Sequence, residues 1–234
     1  MKVLEANCDT EIEVYIESKT AYLTAKRIFD FSASLIASII LVIPMVIVAI
    51  LIFIKDPGNP FYVQKRVGQN GKIIKVVKFR SMRKNADNLE EMLTPEELIR
   101  YKTEYKLEKD PRLLGYKKGN KTSFGEIIRK TSIDELPQIP FNILFMGNMS
   151  FVGPRPILKE ELEENYTKEE QKIFLSAKPG LTGYWQANAR NNATYATGLR
   201  QKMELYYVRH ANFWMDIKII LDTFGAVISM DGAN

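Results

Sequence analysis

From Phe31 to Ile54 the chain carries no charge: FSASLIASIILVIPMVIVAILIFI. About two dozen uncharged residues is the length of a bilayer-crossing helix. The arm before it holds Glu5, Asp9, Glu11, Glu13 and Glu17, and a basic stretch follows directly after Ile54, which argues against a secretory signal. Pro44, near the middle, removes one backbone hydrogen bond and predicts a kink. Each arm beside Pro44 is at most about 13 residues, or about 20 Å of helix, short of the roughly 30 Å hydrocarbon core. A sharp kink gives a re-entrant hairpin in one leaflet; a gentle kink gives an ordinary span. Spans are the commoner solution. Both flanks are basic, however, with Lys19, Lys26 and Arg27 before and Lys55, Lys65 and Arg66 after, so the charge asymmetry that orients a span is missing. The pattern by itself leaves both topologies open.

Beyond the apolar run the periodicity changes. Residues 61–80 read FYVQKRVGQNGKIIKVVKFR, two β-prone runs around Asn70-Gly71, which predicts a basic β-hairpin near the membrane exit. Residues 86–108 are charged and periodic, with Thr94-Pro95-Glu96-Glu97 as a helix start, and read as solvated helices. The acidic run from Lys159 to Gln171 reads as a solvated helix face, not a metal cage. Residues 199–229 have helical spacing and should pack across the body. No repeat or low-complexity linker divides the chain, so one mainly helical α+β domain is expected over 1–234.

The bulk numbers narrow the chemistry. A chain of 234 residues with 46% hydrophobic and 26% charged residues can bury a core. A net charge of +5 suits an anionic partner without choosing among nucleic acid, phosphorylated small molecules and lipid. The single cysteine, Cys8, excludes an internal disulfide and a cysteine-based zinc site. The single histidine, His210, lies in a helical run and reads as a packed or surface residue, which removes Ser-His-Asp chemistry unless it is itself the base.

Four blocks concentrate Arg, Pro, Gly and Asp: Asp110-Pro111-Arg112; Arg129 to Pro137, containing Asp134-Glu135; Gly153-Pro154-Arg155-Pro156; and Lys178 to Arg190. Each has a local explanation. Ser132 to Glu135 matches a capping box, Asp134 could be an N-cap, and the proline blocks could be turns. Together they suit phosphoryl transfer, which needs clustered cations, rigid backbone to aim them, and a carboxylate for a divalent metal or for attack. Prolines on both sides of Arg155 pre-aim a guanidinium that can grip phosphate bidentately. An Asp-Glu pair opening a helix sets two carboxylates near one cation site. No Walker A or Gly-x-Gly-x-x-Gly loop is present, which argues against ATP-type and dinucleotide binding.

Six ordered blocks between Lys26 and Gly225 resemble the bacterial sugar transferases known as monotopic polyprenol-phosphate phosphoglycosyl transferases. They are Lys26-Arg27-Ile28-Phe29-Asp30, Lys78-Phe79-Arg80-Ser81-Met82, Asp110-Pro111-Arg112, Arg129 with Asp134-Glu135-Leu136-Pro137, Gly153-Pro154-Arg155-Pro156, and Lys178 to Arg190. The resemblance implies transfer of a sugar 1-phosphate from a UDP-sugar to undecaprenyl phosphate with release of UMP, the first membrane step of glycan assembly. It implies Asp134 as the nucleophile that forms a covalent phosphosugar, Glu135 as its partner, and Mg²⁺ bound at the pair. Pro154, Arg155 and Pro156 match the segment associated with the uridine nucleotide; Lys78, Arg80, Arg129 and Arg190 fall where cationic phosphate contacts are expected. The family's apolar segment is a re-entrant helix broken at a proline, which matches Pro44. The implied layout is an N-terminal arm over 1–30, a re-entrant membrane helix over 31–54, and a catalytic part over 55–234 at the cytosolic face of the inner membrane. The chain lacks the extra hydrophobic spans of some larger relatives, so a compact catalytic form is expected.

Three positions depart from the family pattern. The chain between Asp134 and Gly147 is slightly long, with Pro140-Phe141 where one apolar residue would do, so the helix after the pair is expected to start irregularly. Ala189 stands where glycine is expected, beside Arg190, and Glu204 where aspartate is expected. Two other readings compete. A glycosyl transferase would release UDP, and a membrane-anchored basic module would only bind anionic lipid or RNA. Against RNA, the aromatic-basic interleaving of a nucleic-acid reader is confined to Phe61, Tyr62 and Phe79. A membrane-embedded homodimer is allowed by the sequence but not demanded.

Overall fold

The computed structural model describes residues 19–104, 107, 110–117, 122–189, 195 and 197–229. Arg190 and Cys8, both singled out in the sequence, lie outside the described residues.

Helix α1, Thr20–Lys55, extends well before the apolar run and continues through Pro44. Its N-terminal part is held by polar contacts. Lys26 Nζ sits 2.6 Å from Asp216, the Tyr22 hydroxyl donates to the same carboxylate, and Arg27 donates to the Ile143 carbonyl at 3.1 Å. Asp30, buried, accepts from the Phe151 N–H. Its C-terminal part is held by packing: Ile52 is fully buried with Phe79, Leu114 and Ile128, beside Met45, Val48 and Ala49. Between these anchors Leu35, Ile36, Ile39, Ile40, Val42 and Ile43 are exposed. Both ends of α1 thus dock on one body while the apolar middle faces outward. It is the one helix among the described residues long and apolar enough to cross a membrane, and it fits a membrane anchor.

Strands β1 (Phe61–Val67) and β2 (Ile73–Phe79) form the expected antiparallel hairpin, pairing Phe61 with Phe79, Tyr62 with Lys78 and Val67 with Ile73. Asn70 and Gly71 both take positive φ (56° and 73°), as the tight return of the chain requires. Helices α2 (Leu89–Met92) and α3 (Pro95–Glu104) follow, the second opened by reciprocal Thr94 and Glu97 bonds as its sequence predicts.

Helix α4, Phe124–Lys130, starts at a capping box between Ser123 and Glu126. A short 3₁₀ turn, Ile133–Glu135, and a π-helix, Ile139–Phe145, come next. The expected capping box at Ser132 to Glu135 does not form. Ser132 takes a left-handed conformation (φ 56°, ψ 16°) to turn the chain out of α4, and its side chain makes no cap bond. Asp134 is therefore in a 3₁₀ turn, not an N-cap. The irregular start expected from Pro140-Phe141 takes the form of the π-helix, with Met146 N donating to the Phe141 carbonyl at 2.9 Å.

Strands β3 (Ser150–Val152) and β4 (Gly180–Thr182) pair in parallel. Between them run α5 (Lys159–Asn165) and α6 (Lys168–Ser176). The run from Lys159 is thus two helices broken at Tyr166-Thr167. It is not merely a solvated face, because Leu162, Tyr166 and Phe174 are buried against Val67, Ile157 and Leu205. Helices α7 (Tyr184–Ala189), α8 (Leu199–His210) and α9 (Phe213–Ser229) complete a mainly helical α+β fold. His210 is exposed at the end of α8, its ring stacked on Tyr206.

Candidate active site

The Asp134-Glu135 turn is fixed from both sides. Ile133 and Leu136, which flank the pair, pack into the cluster of Phe79, Leu114, Ile128 and the α1 residue Ile52. This sets the turn that carries the carboxylates in the same apolar cluster as the C-terminal end of α1. The following π-helix is pinned to β2 by Asn142, wholly buried, whose side-chain oxygen accepts from Val77 N at 3.0 Å while its amide donates to the Lys75 carbonyl at 2.7 Å. A buried amide satisfied by a strand's free edge fixes register as well as position.

That register brings Lys78 to Glu135, Nζ to Oε1 at 2.6 Å, both side chains about a quarter exposed. Arg129, in the last turn of α4, is exposed and acts on Asp134 electrostatically. Burial pushes the Asp134 carboxyl up to about 6; the Glu135 charge adds to the rise, and Lys78 and Arg129 oppose it. Four residues expected in the site, Lys78, Arg129, Asp134 and Glu135, therefore meet. Among the described residues no three His, Cys, Asp or Glu side chains form a metal cluster. The adjacent carboxylates of Asp134 and Glu135 still fit Mg²⁺, which takes one or two protein carboxylates and completes its shell with water and substrate phosphates.

Arg80 departs from its expected role. Buried beside the exit of α1, its guanidinium holds both the Asp56 carboxylate and the Asp56 carbonyl, and its Nε donates to the Asn59 carbonyl. It clamps the junction between membrane helix and hairpin. Arg112 is structural too, forming a bidentate pair with Asp110 and lying over the Tyr101 ring at 4.1 Å.

The Pro154-Arg155-Pro156 segment lies in a second group. Gly153 N donates to the Thr182 carbonyl and Gly180 N to the Pro154 carbonyl, both at 2.9 Å, so two of the sequence blocks meet through β3 and β4. The contact is backbone on backbone. A Cβ on Gly153 would lie 2.3 Å from the Lys178 carbonyl oxygen, and one on Gly180 2.1 Å from Gly153 N. Lys178 itself donates to the Gly147 carbonyl, next to Arg27. The Arg155 guanidinium stands 5.8 Å from the Trp185 ring centre, and Arg200 lies between Trp185 and Tyr195 at 4.2 and 4.0 Å. Glu161 pairs with Arg200 at 3.1 Å and lies 3.7 Å from Arg66.

Sequence reasoning did not assign Arg66, Glu161 or Arg200 to this group. Strand alternation held the signal for Arg66, because Tyr62, Gln64 and Arg66 share a face and Tyr62 pairs with Lys78. Along that face, Arg66 stands roughly 13 Å from the Lys78 position. One hairpin face thus links the carboxylate pair to the arginine group.

A long apolar helix of this kind fits a membrane-associated protein, and the cation-flanked carboxylate pair packs into the apolar cluster at its C-terminal end. The chain belongs to the bacterial sugar transferase family, whose family model matches residues 21–230. It is 40% identical over 211 residues to a UDP-galactose-lipid carrier transferase of Erwinia amylovora, covering 89% of this chain and 41% of that protein. It is 39% identical over 211 residues to an undecaprenyl-phosphate galactose phosphotransferase of Salmonella typhimurium, with 89% and 41% covered. It is 37% identical over 212 residues to the exopolysaccharide production protein ExoY of Sinorhizobium fredii, with 89% and 88% covered. The chain spans about two-fifths of the length of the first two relatives.

Proposed function

We propose that this chain transfers a sugar 1-phosphate from a UDP-sugar to undecaprenyl phosphate, giving the lipid-diphosphate sugar and UMP, as the first membrane step of a bacterial glycan such as an exopolysaccharide. The observation that carries the reading is the half-buried Asp134 carboxyl, beside a Lys78–Glu135 ion pair and Arg129, on a turn that packs into the same apolar cluster as the end of α1. The names of the relatives, which speak of lipid carriers and undecaprenyl phosphate, support the same substrates.

An Asp134 carboxylate oxygen attacks the sugar-bearing phosphorus. That oxygen–phosphorus bond forms as the bridge to the α-phosphate breaks, and UMP leaves with the electron pair. An oxygen of the polyprenol phosphate then attacks the same phosphorus, and the Asp134–phosphorus bond breaks to restore the carboxylate. Lys78 and Arg129 balance charge that gathers on the transferring oxygens, and Arg155 grips the nucleotide phosphate. Asp134 and Glu135 would hold Mg²⁺, which when bound screens the donor diphosphate from the attacking carboxylate. Splitting the transfer in two lets a soluble donor and a buried lipid use one site in turn.

The lipid phosphate lies at headgroup depth, which is where a pair seated on the end of α1 would meet it. We place α1 as a re-entrant helix bent at Pro44, with the rest of the chain on the cytosolic face of the inner membrane. Docking of both helix ends on one body supports this. Phe213, edge-on to Phe29 of α1, and Trp214, 78% exposed, sit beside the insertion point and suit an interfacial aromatic belt. The test is nucleotide release from UDP-sugars with undecaprenyl phosphate in vesicles: UMP is the expected product, and UDP would favour direct glycosyl transfer.

A further inference from the structure

Glu204 is a buried acid that neither the proposed reaction nor the core accounts for. It projects from α8 and is only 1% exposed, yet its Oε2 has no hydrogen-bond partner among the described residues. A buried acid held this way is costly, so packing alone would favour an apolar residue. Burial pushes its carboxyl up to about 7 against the pull of Arg200 and Arg155, and Glu161 adds to the rise.

Its other oxygen does one specific thing. Pro154 and Pro156 have no N–H, so Arg155 carries the only backbone donor in the Pro-Arg-Pro turn. That N–H points at Glu204 Oε1, at 3.4 Å. The remaining ties of the segment are to other backbone: Gly153 N to the Thr182 carbonyl, Gly180 N to the Pro154 carbonyl, and Val67 N to the Ile157 carbonyl. These flank the turn on both sides and leave Arg155 itself to Glu204. On α8, one turn away, Arg200 is clamped by Trp185, Tyr195 and Glu161, which fixes the helix face that presents Glu204.

We propose that Glu204 is a positioning residue for the nucleotide subsite, holding the Arg155 turn through its N–H so that the guanidinium is aimed before the donor arrives. The inference rests on the reading of Arg155 as a nucleotide contact. It locates nucleotide affinity partly in a side chain that never touches the ligand, and through a hydrogen bond, not a charge.

The probe is UMP, whose affinity is measured by calorimetry on the full chain in nanodiscs with Mg²⁺, beside the Tm of each variant. Glu204→Met removes the acceptor at near-equal volume and should weaken UMP binding about five- to tenfold. Glu204→Gln keeps a carbonyl acceptor without charge and should stay within about twofold of wild type. Glu204→Asp, with an acceptor on a shorter stem, stands in if the Met chain does not fold, and should fall between the two. Arg155→Ala separates this inference from the reading beneath it. If that variant binds UMP like the wild type, the nucleotide role of the turn falls and Glu204's role with it. If it loses affinity while folded Glu204→Met, or Asp in its place, binds normally, only Glu204's role is overturned. A Gln variant as weak as Met also overturns it, because charge would then be what matters.

Discussion

Lys78 Nζ lies 2.6 Å from Glu135 Oε1, a contact between strand β2 and the 3₁₀ turn that carries Asp134. The same ammonium lowers the Asp134 pKa that burial and Glu135 raise. Lys78→Gln should therefore move the Asp134 titration upward from about 6. The acid limb of kcat/KM for the donor should shift to higher pH by on the order of half a unit to one unit, since that profile reports the free enzyme. An unmoved or lowered limb contradicts this arrangement.

The raised pKa also bears on stability. Folding lifts the Asp134 carboxyl from its ordinary 3.8 to about 6, so the folded chain binds that proton more tightly. Its stabilising contribution is complete below about pH 4 and is lost as pH rises through about 6. At neutral pH the ionised group costs stability that Asn would not. Asp134→Asn should abolish turnover yet raise Tm at pH 7.5 by roughly 2–4 °C, with the gap closing on acidification toward pH 4. A Tm that falls at pH 7.5 would mean that Asp134 is a stabilising ion-pair partner instead.

Arg112 and Arg155 should separate cleanly. Arg112 is buried and bidentate to Asp110, so Arg112→Ala leaves a carboxylate unpaired and should cost about 3–5 kcal/mol in denaturant unfolding. Arg155→Ala should leave stability within about 1 kcal/mol but lower kcat/KM for the donor by roughly 10²-fold. Equal, mild effects of both changes would remove the distinction between them.

For topology, Cys8 is a natural reporter because the chain has no other cysteine. A membrane-impermeant thiol reagent applied to intact cells should leave it unlabelled, and labelling only after permeabilisation places the N-terminal arm inside. Pro44→Leu restores the backbone hydrogen bond that proline removes and, if α1 is re-entrant, should shift a fraction of molecules to a true span with Cys8 accessible from outside. Labelling of wild-type Cys8 from outside would exclude the re-entrant helix.

The elements with local signals were legible in the sequence. Asn70-Gly71 marks a turn that only positive φ can make, and Thr94 to Glu97 contains a complete helix start. The carboxylate pair was legible as chemistry but not as geometry. The same Ser-x-x-Glu spelling forms a capping box wherever its first residue is extended, and Ser132 is left-handed here because the chain must turn sharply after α4. Arg80 and Arg155 look alike in sequence, each next to a phosphate-type motif. What separates them is the Asp56 carboxylate at the end of α1, 24 residues from Arg80, and no local pattern encodes it. Glu161 was read as one of many solvated acids, since its partners Arg66 and Arg200 come from β1 and α8. Contacts between distant segments decide which charge is structural.

The direct test of covalent transfer is intact-protein mass spectrometry after mixing the chain with Mg²⁺ and UDP-galactose or UDP-N-acetylated hexoses, with no lipid acceptor. Asp134 attack requires that UMP leave before the acceptor binds. The mass should rise by one hexose phosphate or its N-acetylated relative, UMP should appear in matching amount, and Asp134→Asn should lose both. Glu135 does not substitute, since neighbouring residues of a 3₁₀ turn point roughly 120° apart. If UMP forms only when polyprenol phosphate is present, and no adduct is trapped under any quench, transfer is direct and Asp134 is a metal ligand, not a nucleophile.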